Sequence, residues 1–406
     1  MITRQTTSYY LSFFSFGLVA AMLGPALPFL ADHAGASISQ ASVLFIAGAL
    51  GFFLGSNIAG ILYDRVKGNP VVSTALAITG TAFFIIPMSN SILQIFLLLV
   101  FNGIGAGMVV VGSNTLLVWV RSNNLSPWMN GMHLLNGIGA FISPLIITFS
   151  IIRTNDIILA YRINGIIFFL AALFVIFTPS PKIRKKLSTD LKFSMKAIIS
   201  IILISASALL YVGTEVSFSG WIFSFTREVL DSSNKTAGIM TSFFWGSITL
   251  GRGISIPISK KLNPEKILII DLLGSITGIA FIILFSGSAV TIAAGTIIFG
   301  TSMGSFFPNL LAFTEKHIGI TGRVNGIIFT STALGGMSLP FLSGQLFQKI
   351  APQMVMYGLI FYLSINLVLT LINIKRQTNI NSLIKKIPKN QTQSEIDWGK
   401  PEGKET

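Results

Sequence analysis

"SPKIRKKLSTDLKFSMK", Ser180 to Lys196, is the longest internal polar stretch in a chain of 406 residues that is 52% hydrophobic and 10% charged. Six apolar runs precede it and six follow, most of them near or above the ~20 residues that a helix needs to cross a hydrocarbon core. The first six cover residues 8–31, 41–64, 70–90, 92–120, 127–152 and 158–179. The second six cover residues 197–226, 236–259, 267–287, 289–314, 324–348 and 353–374. A soluble domain carries about 25% charged residues. With so little polar surface and a mean hydropathy of +0.75, the solvent of this chain is the bilayer. The predicted fold is an all-α membrane protein with twelve transmembrane helices. They form two six-helix bundles, 1–179 and 197–374, joined by the 180–196 linker and followed by a 375–406 tail.

The placement of charge orients the helices. If the N-terminus is cytoplasmic, all but six of the 28 Lys and Arg fall on the cytoplasmic side. Arg153, Arg162, Arg227, Lys235 and Lys349 fall on the other side or its rim, and Arg252 falls within a run. That asymmetry is the positive-inside pattern, so both termini are expected in the cytoplasm. It accounts for the net charge of +14 without a nucleic-acid partner. No cysteine is present, which excludes disulfides and thiol chemistry. His33, His133 and His317 show no metal-ligand spacing, and no metal or organic cofactor is expected. The 92–120 and 197–226 runs exceed one span, so tilt, a kink or projecting ends are expected, with Gly213 and Gly220 as kink points in the latter. The tail reads as largely unstructured, with "INSLIKKI", Ile380 to Ile387, as a candidate surface helix.

A repeat runs through the sequence at about 195 residues. Gly105 falls on Gly300, Asn114 on Asn309 and Asn130-Gly131 on Asn325-Gly326. Pro144 falls one residue from Pro340, and Asn69-Pro70 meets Asn263-Pro264 at 194. Two repeated helical halves are a transporter architecture, with the substrate site near the midplane between them.

The second run ends "GSNIAGILYDRVKGNP", Gly55 to Pro70. Gly60, Asp64, Arg65, Lys67 and Gly68 resemble the loop signature of the major facilitator superfamily, with Asn69 and Pro70 in place of its usual basic residues. The resemblance implies gating roles for Asp64 and Arg65. Four further stretches are "GAGMVVVGSNTLLVWV" from Gly105, "PWMNGMHLLNGIGAFISPLI" from Pro127, "YVGTEVSFSGW" from Tyr211 and "FWGSITLGR" from Phe244. They resemble the fucose-permease branch of that superfamily and, within it, the sodium-dependent glucose transporters. This implies a sugar transporter coupled to Na⁺ or H⁺. Val110 stands where fucose permeases carry an acid, four residues before the Asn of the fourth helix. The resemblance therefore does not carry the fucose permeases' proton coupling over to this position.

Polar side chains in a span face the bundle interior or a water-filled cavity. Asn114, His133, Asn136, Glu215, Trp221, Trp245, Ser305 and Asn309 are the candidate substrate contacts. Amide, imidazole and carboxylate groups suit sugar hydroxyls, and indole faces suit the apolar side of a sugar ring. His133 and Asn136 share a helix face. Glu215 is the candidate coupling residue, because an ionised carboxylate in a dry cavity calls for a proton or a cation. Arg252 and Asp271 are assigned to gating or structure, with a pairing between them as one option. "GIGAG" at Gly103 has no strand before it and is not a nucleotide loop; helix packing explains it.

The function these readings support is secondary active transport of a hexose such as glucose or fucose by alternating access. The expected protein is a monomer surrounded by lipid in the plasma membrane, the inner membrane of a bacterial cell. The alternatives are an exporter of drugs or metabolites and a sugar uniporter. A membrane-embedded enzyme would need a clustered nucleophile, base or metal site, which the sequence does not offer.

Overall fold

The computed structural model describes residues 3–63, 65–121, 125–182, 195–259, 261–318 and 322–386. Asp64, residues 183–194 of the linker and residues 387–406 of the tail lie outside the described residues. All regular structure among the described residues is helical. The first half gives α1 (Arg4–Ala20), α2 (Leu23–His33), α3 (Ile38–Ala41), α4 (Val43–Tyr63), α5 (Gly68–Ile85), α6 (Ile92–Val120), α7 (Leu125–Thr154) and α8 (Ile158–Ile176). The second gives α9 (Met195–Leu230), α10 (Asn234–Ser259), α11 (Pro264–Leu284), α12 (Ala289–His317), α13 (Gly322–Lys349) and α14 (Met354–Lys386).

Ten of these segments are long and apolar enough to cross a membrane, and the α1–α2 pair makes an eleventh if counted as one bent span. The bend is 53°. Pro25 supplies no N–H for the Ala21 carbonyl, and its ring crowds that carbonyl, so one continuous helix over 8–31 does not form. Gly35 then ends α2 with φ +57. Its N–H donates to Asp32 and the Ala36 N–H to Ala31, the two bonds of a left-handed helix cap. α10 falls short of the same apolar criterion, for its hydroxyl residues and Arg252 dilute the stripe. α9 runs unbroken through Gly213 and Gly220, where kinks were expected. Both glycines instead make room for neighbours, Leu339 and the Phe45 ring. α14 continues to Lys386, so the surface helix expected at 380–387 is largely its extension.

The chain packs as two groups. α1 lies against α7, α4 against α6 and α5 against α8 in the first. α9 lies against α13, α10 against α12 and α11 against α12 and α14 in the second. The same contacts recur at the repeat interval. A side chain on Gly139 would strike the Phe14 carbonyl, and one on Gly335 the Leu209 carbonyl. Gly55 likewise abuts the Ile104 carbonyl and Gly251 the Thr301 carbonyl. Asn114 Nδ2 donates to the Val110 carbonyl and Asn309 Nδ2 to the Ser305 carbonyl, each at 2.8 Å. The repeat read from scattered residues is thus a repeat of packing.

One end of the bundle carries both ends of the described chain and is called the near end here. Arg121 closes α6 there, its Nε donating to Thr6 at 3.0 Å while its guanidinium lies over the Trp128 ring. Asn69 joins three helices. It accepts from Tyr9 at 2.9 Å, donates through Nδ2 to the Thr178 carbonyl at 2.8 Å, and donates through its backbone N–H to the Ser180 hydroxyl oxygen at 3.0 Å. The departure from the usual loop signature at Asn69 therefore has a structural use. In the second group Glu265 binds Lys316 and His317, each at 2.8 Å.

Replacing Gly335 with Val drives two methyls into the α9 backbone, an overpacking that costs about 1–3 kcal/mol. The thermal midpoint of the purified protein is expected to fall. Gly326→Ala, with open space around it, should leave the midpoint unchanged or slightly raised.

Candidate functional site

The two groups meet along a seam that is closed at the far end. α7 and α10 run antiparallel, with Thr148 against Gly238, Phe141 against Gly246 and Thr249 against Gly137. On the other side of the seam, Ser39 donates to Gln345 Oε1 at 2.7 Å and its N–H meets Gln348. Gln345 Nε2 returns bonds to the Ser39 carbonyl and the Ser42 hydroxyl. Beneath them Trp221 is fully buried between Phe45 and Phe347, its indole N–H donating to the Pro340 carbonyl at 2.9 Å. Every residue from Ser217 to Thr226 is buried, so this part of α9 is enclosed on all sides. An open recess of about 630 Å³, lined by Gln40, Phe341 and Lys349 among others, lies on the outer surface of this closure.

Towards the near end the seam parts. One turn beyond the Gly137–Thr249 contact, His133 is exposed although it lies well inside α7. Its ring packs edge-on against Phe13 at 5.1 Å. Across the gap stand Arg252 on α10 and Glu215 on α9, both half-buried. The charge of Arg252 acts on His133, Tyr211 and Glu215 together. Arg252 and Glu215 are nevertheless not an ion pair within 4.0 Å. Tyr211 lies one turn before Glu215, and its hydroxyl donates to the Met303 carbonyl at 3.0 Å. A cation, an acid and an imidazole are thus brought together from the two groups, with His133 exposed and Glu215 and Arg252 half-buried. Such a set can both accept from and donate to a polyhydroxylated solute.

The remaining predicted residues divide by depth. Asn136 donates to the Phe13 carbonyl at 3.4 Å beside His133. Asn114 is half-buried and uses its Nδ2 within its own helix. Trp245 donates to the Ser219 hydroxyl at 3.0 Å and belongs to the closed part of the seam, as does Trp221. Ser305 and Asn309 are buried behind Tyr211, with the Ser305 hydroxyl donating to Asp271 Oδ2 at 2.6 Å. Asp271 therefore does not pair with Arg252. It sits seven residues inside α11, about two turns from the helix start. Arg65 is exposed at the near end, and Asp64 lies outside the described residues. Tyr211, Ser219 and Phe13 join the site beyond the residues expected from sequence. Tyr211 was legible as the residue one turn before Glu215; the Phe13 carbonyl carries no sequence signal. Among the described residues no cluster of His, Asp and Glu side chains gathers that could hold a metal ion.

A family model described as Major Facilitator Superfamily matches residues 9–376. The chain belongs to the major facilitator superfamily. It is an integral multi-pass membrane protein. It is 24% identical over 372 residues to sodium-dependent glucose transporter 1A of Mus musculus, covering 82% of this chain and 88% of that protein. It is 28% identical over 393 residues to sodium-dependent glucose transporter 1 of Danio rerio, covering 87% of this chain and 65% of that protein. It is also 25% identical over 433 residues to major facilitator superfamily domain-containing protein 4A of Xenopus tropicalis, covering 85% and 86%. Among solved structures, a mutant form of the nucleoside transporter NupG superposes with a TM-score of 0.75 at 16% identity, covering 92% of this chain and all of that one. That likeness concerns the fold.

The far-end closure has a direct test in a chain with no native cysteine. Ser39→Cys and Gln345→Cys, joined by a short bifunctional thiol reagent, should stop solute uptake, and an uptake rate unchanged by joining would mean that this end need not part.

Proposed function

We propose that this superfamily member is a secondary active sugar transporter of the plasma membrane, working as a monomer by alternating access. Its bundle makes twelve crossings, with α1–α2 as the first and α10 as the eighth, held between α7 and α12. Residues 1–179 and 197–374 are the two moving halves, and both termini are cytoplasmic. Arg65, Lys67, Arg121, Lys182, Lys261 and Lys266 lie at the near end, against Arg153, Arg227, Lys235 and Lys349 at the far end. The positive-inside rule then makes the near end cytoplasmic, and the conformation described faces inward.

The observation that carries the reading is the opening where Glu215 and Arg252 of one half face His133 and Asn136 of the other. A solute bound there touches both halves, so its binding energy can bias their relative position. Asn114, His133, Asn136 and Glu215 bind sugar hydroxyls, and Arg252 orients Glu215. Trp221, Trp245, Ser305 and Asn309 complete the cavity when the far end opens. Kinship with sodium-dependent glucose transporters supports a hexose as substrate and Na⁺ or H⁺ as the coupling ion, taken up at Glu215. Asp64 and Arg65 serve the near-end gate. Val110 favours uniport as the second reading, because it leaves the fourth helix without an acid. No catalytic step is assigned to the protein.

Uptake into proteoliposomes across a panel of hexoses, with Na⁺ and pH gradients imposed separately, decides between these readings. Accumulation of at least one hexose under one gradient is expected. Glu215→Gln should abolish accumulation while leaving exchange at equal concentrations. Full accumulation by that variant would remove Glu215 from coupling, and indifference to every sugar would sink the substrate assignment.

A further inference from the structure

Asp271 is the second carboxylate deep in the second half, and the sugar site leaves it without a task. It is 6% exposed, and its Oδ2 accepts the Ser305 hydroxyl at 2.6 Å. Among the described residues no Lys, Arg or His forms an ion pair with it. The other half shows that the fold does not need a polar pair there. Thr79 donates to the Ala75 carbonyl as Ser275 donates to the Asp271 carbonyl, which sets Asp271 against Ala75 in the repeat. Ser305 falls on Val110 at the interval that matches Asn309 with Asn114. Ala75 is fully buried, and an apolar pair occupies the place of Asp271 and Ser305.

A file of buried polar groups lies between α9 and α14 and ends at Leu268, one turn on the near-end side of this carboxylate. Gln377 donates to Ser200 at 2.8 Å, and Ser207 donates to Asn366 at 2.5 Å and lies 3.5 Å from Thr370. Asn373 has a buried side-chain oxygen with no protein partner. Ser207, Thr370, Asn373, Leu268 and Leu310 line a cavity of about 10 Å³, on the scale of one water. Ser207 lies one turn before Tyr211, and Leu268 one turn before Asp271.

We infer that Asp271 is a proton-exchange site of the transport cycle, separate from Glu215 and reached from the near end through the polar file of α9 and α14. The proton leaves the Asp271 carboxyl for water in the file, and the Ser305 hydroxyl donates to the carboxylate that remains. Ionisable residues in the interior of a membrane bundle commonly mark ion pathways and proton relays. The groups facing Asp271 fit this use. α12 offers the neutral Ser305, and α9 offers Tyr211 with Glu215 beyond it. α10 offers Arg252, whose charge acts on Tyr211 and Glu215. α14 presents Asn366, Thr370 and Asn373, with its charges Lys375 and Arg376 nearer the near end. On α11 itself Glu265 is held by Lys316 and His317, and Lys266 lies at the helix start.

The inference rests on the transport reading above, so its test includes a readout that needs no substrate. Infrared difference spectra of the whole protein in proteoliposomes after a pH jump should show the carbonyl band of a titrating carboxylic acid. That band should persist in Glu215→Gln and vanish in Asp271→Asn, a substitution that preserves shape and a hydrogen-bonding oxygen. Should Asp271→Asn not fold, Ser305→Ala keeps the acid, removes its donor, and should shift the band's frequency. A band that neither substitution alters overturns the inference. In uptake, Asp271→Asn should lose proton-driven accumulation while keeping exchange, and retained accumulation also overturns it. A wild-type protein that takes up no hexose but shows the Asp271-dependent band would overturn the sugar assignment alone.

Discussion

Backbone contact at glycine is the constraint on which this molecule depends. Lipid gives two helices no hydrophobic reason to associate, so close packing and polar contacts must hold them. Within each half, Gly51, Gly55, Gly103, Gly107 and Gly139 on one side, and Gly251, Gly304 and Gly335 on the other, meet backbone carbonyls directly. Across the seam, Gly137, Gly238, Gly246, Gly220 and Gly344 meet side chains instead: Thr249, Thr148, Phe141, Phe45 and Ser42. Gly24, which meets the Ser219 carbonyl, is the exception. Backbone-to-backbone contact leaves no rotamer to absorb a displacement, whereas a side chain can turn. Within the halves Gly68, Gly112, Gly165 and Gly274 meet side chains as well, so the contrast is one of degree: direct backbone contact is common within the halves and rare across the seam, the arrangement that rocking about a central site would use.

The same logic governs charge. A charged side chain at the centre of a membrane helix costs about 2.5–3.5 kcal/mol on insertion scales. The second half holds Glu215, Arg252 and Asp271, and the first half meets them with the neutral-capable His133. Arg252 influences Glu215 without closing an ion pair, so neither group is locked away from a solute or an ion. A pair in full contact would be more stable in one conformation and less able to change partners. The looseness of this arrangement is a cost in static stability that a moving carrier can use.

Much of this was legible in the sequence, and the limits have physical causes. Apolar length located the helices, because a bilayer imposes a minimum span, and the asymmetric basic residues suggested an orientation that the near-end grouping is consistent with. Glu215 stood out because an acid inside a long apolar run is costly. The bend between Ala20 and Leu23 was hidden, since Pro25 is tolerated in many straight helices and only its carbonyl partner decides the outcome. Trp221 and His133 could not be separated by depth, for the closed and parted portions of the seam depend on how two halves sit together. Asp271 was assigned to gating or structure with Arg252 as a possible partner; its buried partner Ser305, 34 residues away, could not be seen, because side-chain pairing between helices leaves no trace in sequence spacing.

Tyr211 links these themes. It stands between Glu215 in the opening and Asp271 behind it, feels the charge of both and of Arg252, and anchors its hydroxyl on the Met303 carbonyl. Its ring stacks on Phe306 at 5.1 Å and lies 5.9 Å from Phe307. A change in charge at either carboxylate is therefore communicated to a rigid aromatic group that joins α9 to α12. Of those two helices, α9 reaches the far-end closure and α12 carries Ser305 and, at its end, the Lys316 and His317 that bind Glu265. An acid that gains or loses a proton beside Tyr211 acts on the packing between them rather than on a loop. If the halves move as the proposed alternating access requires, that is the kind of contact through which an ion can bias which end is closed.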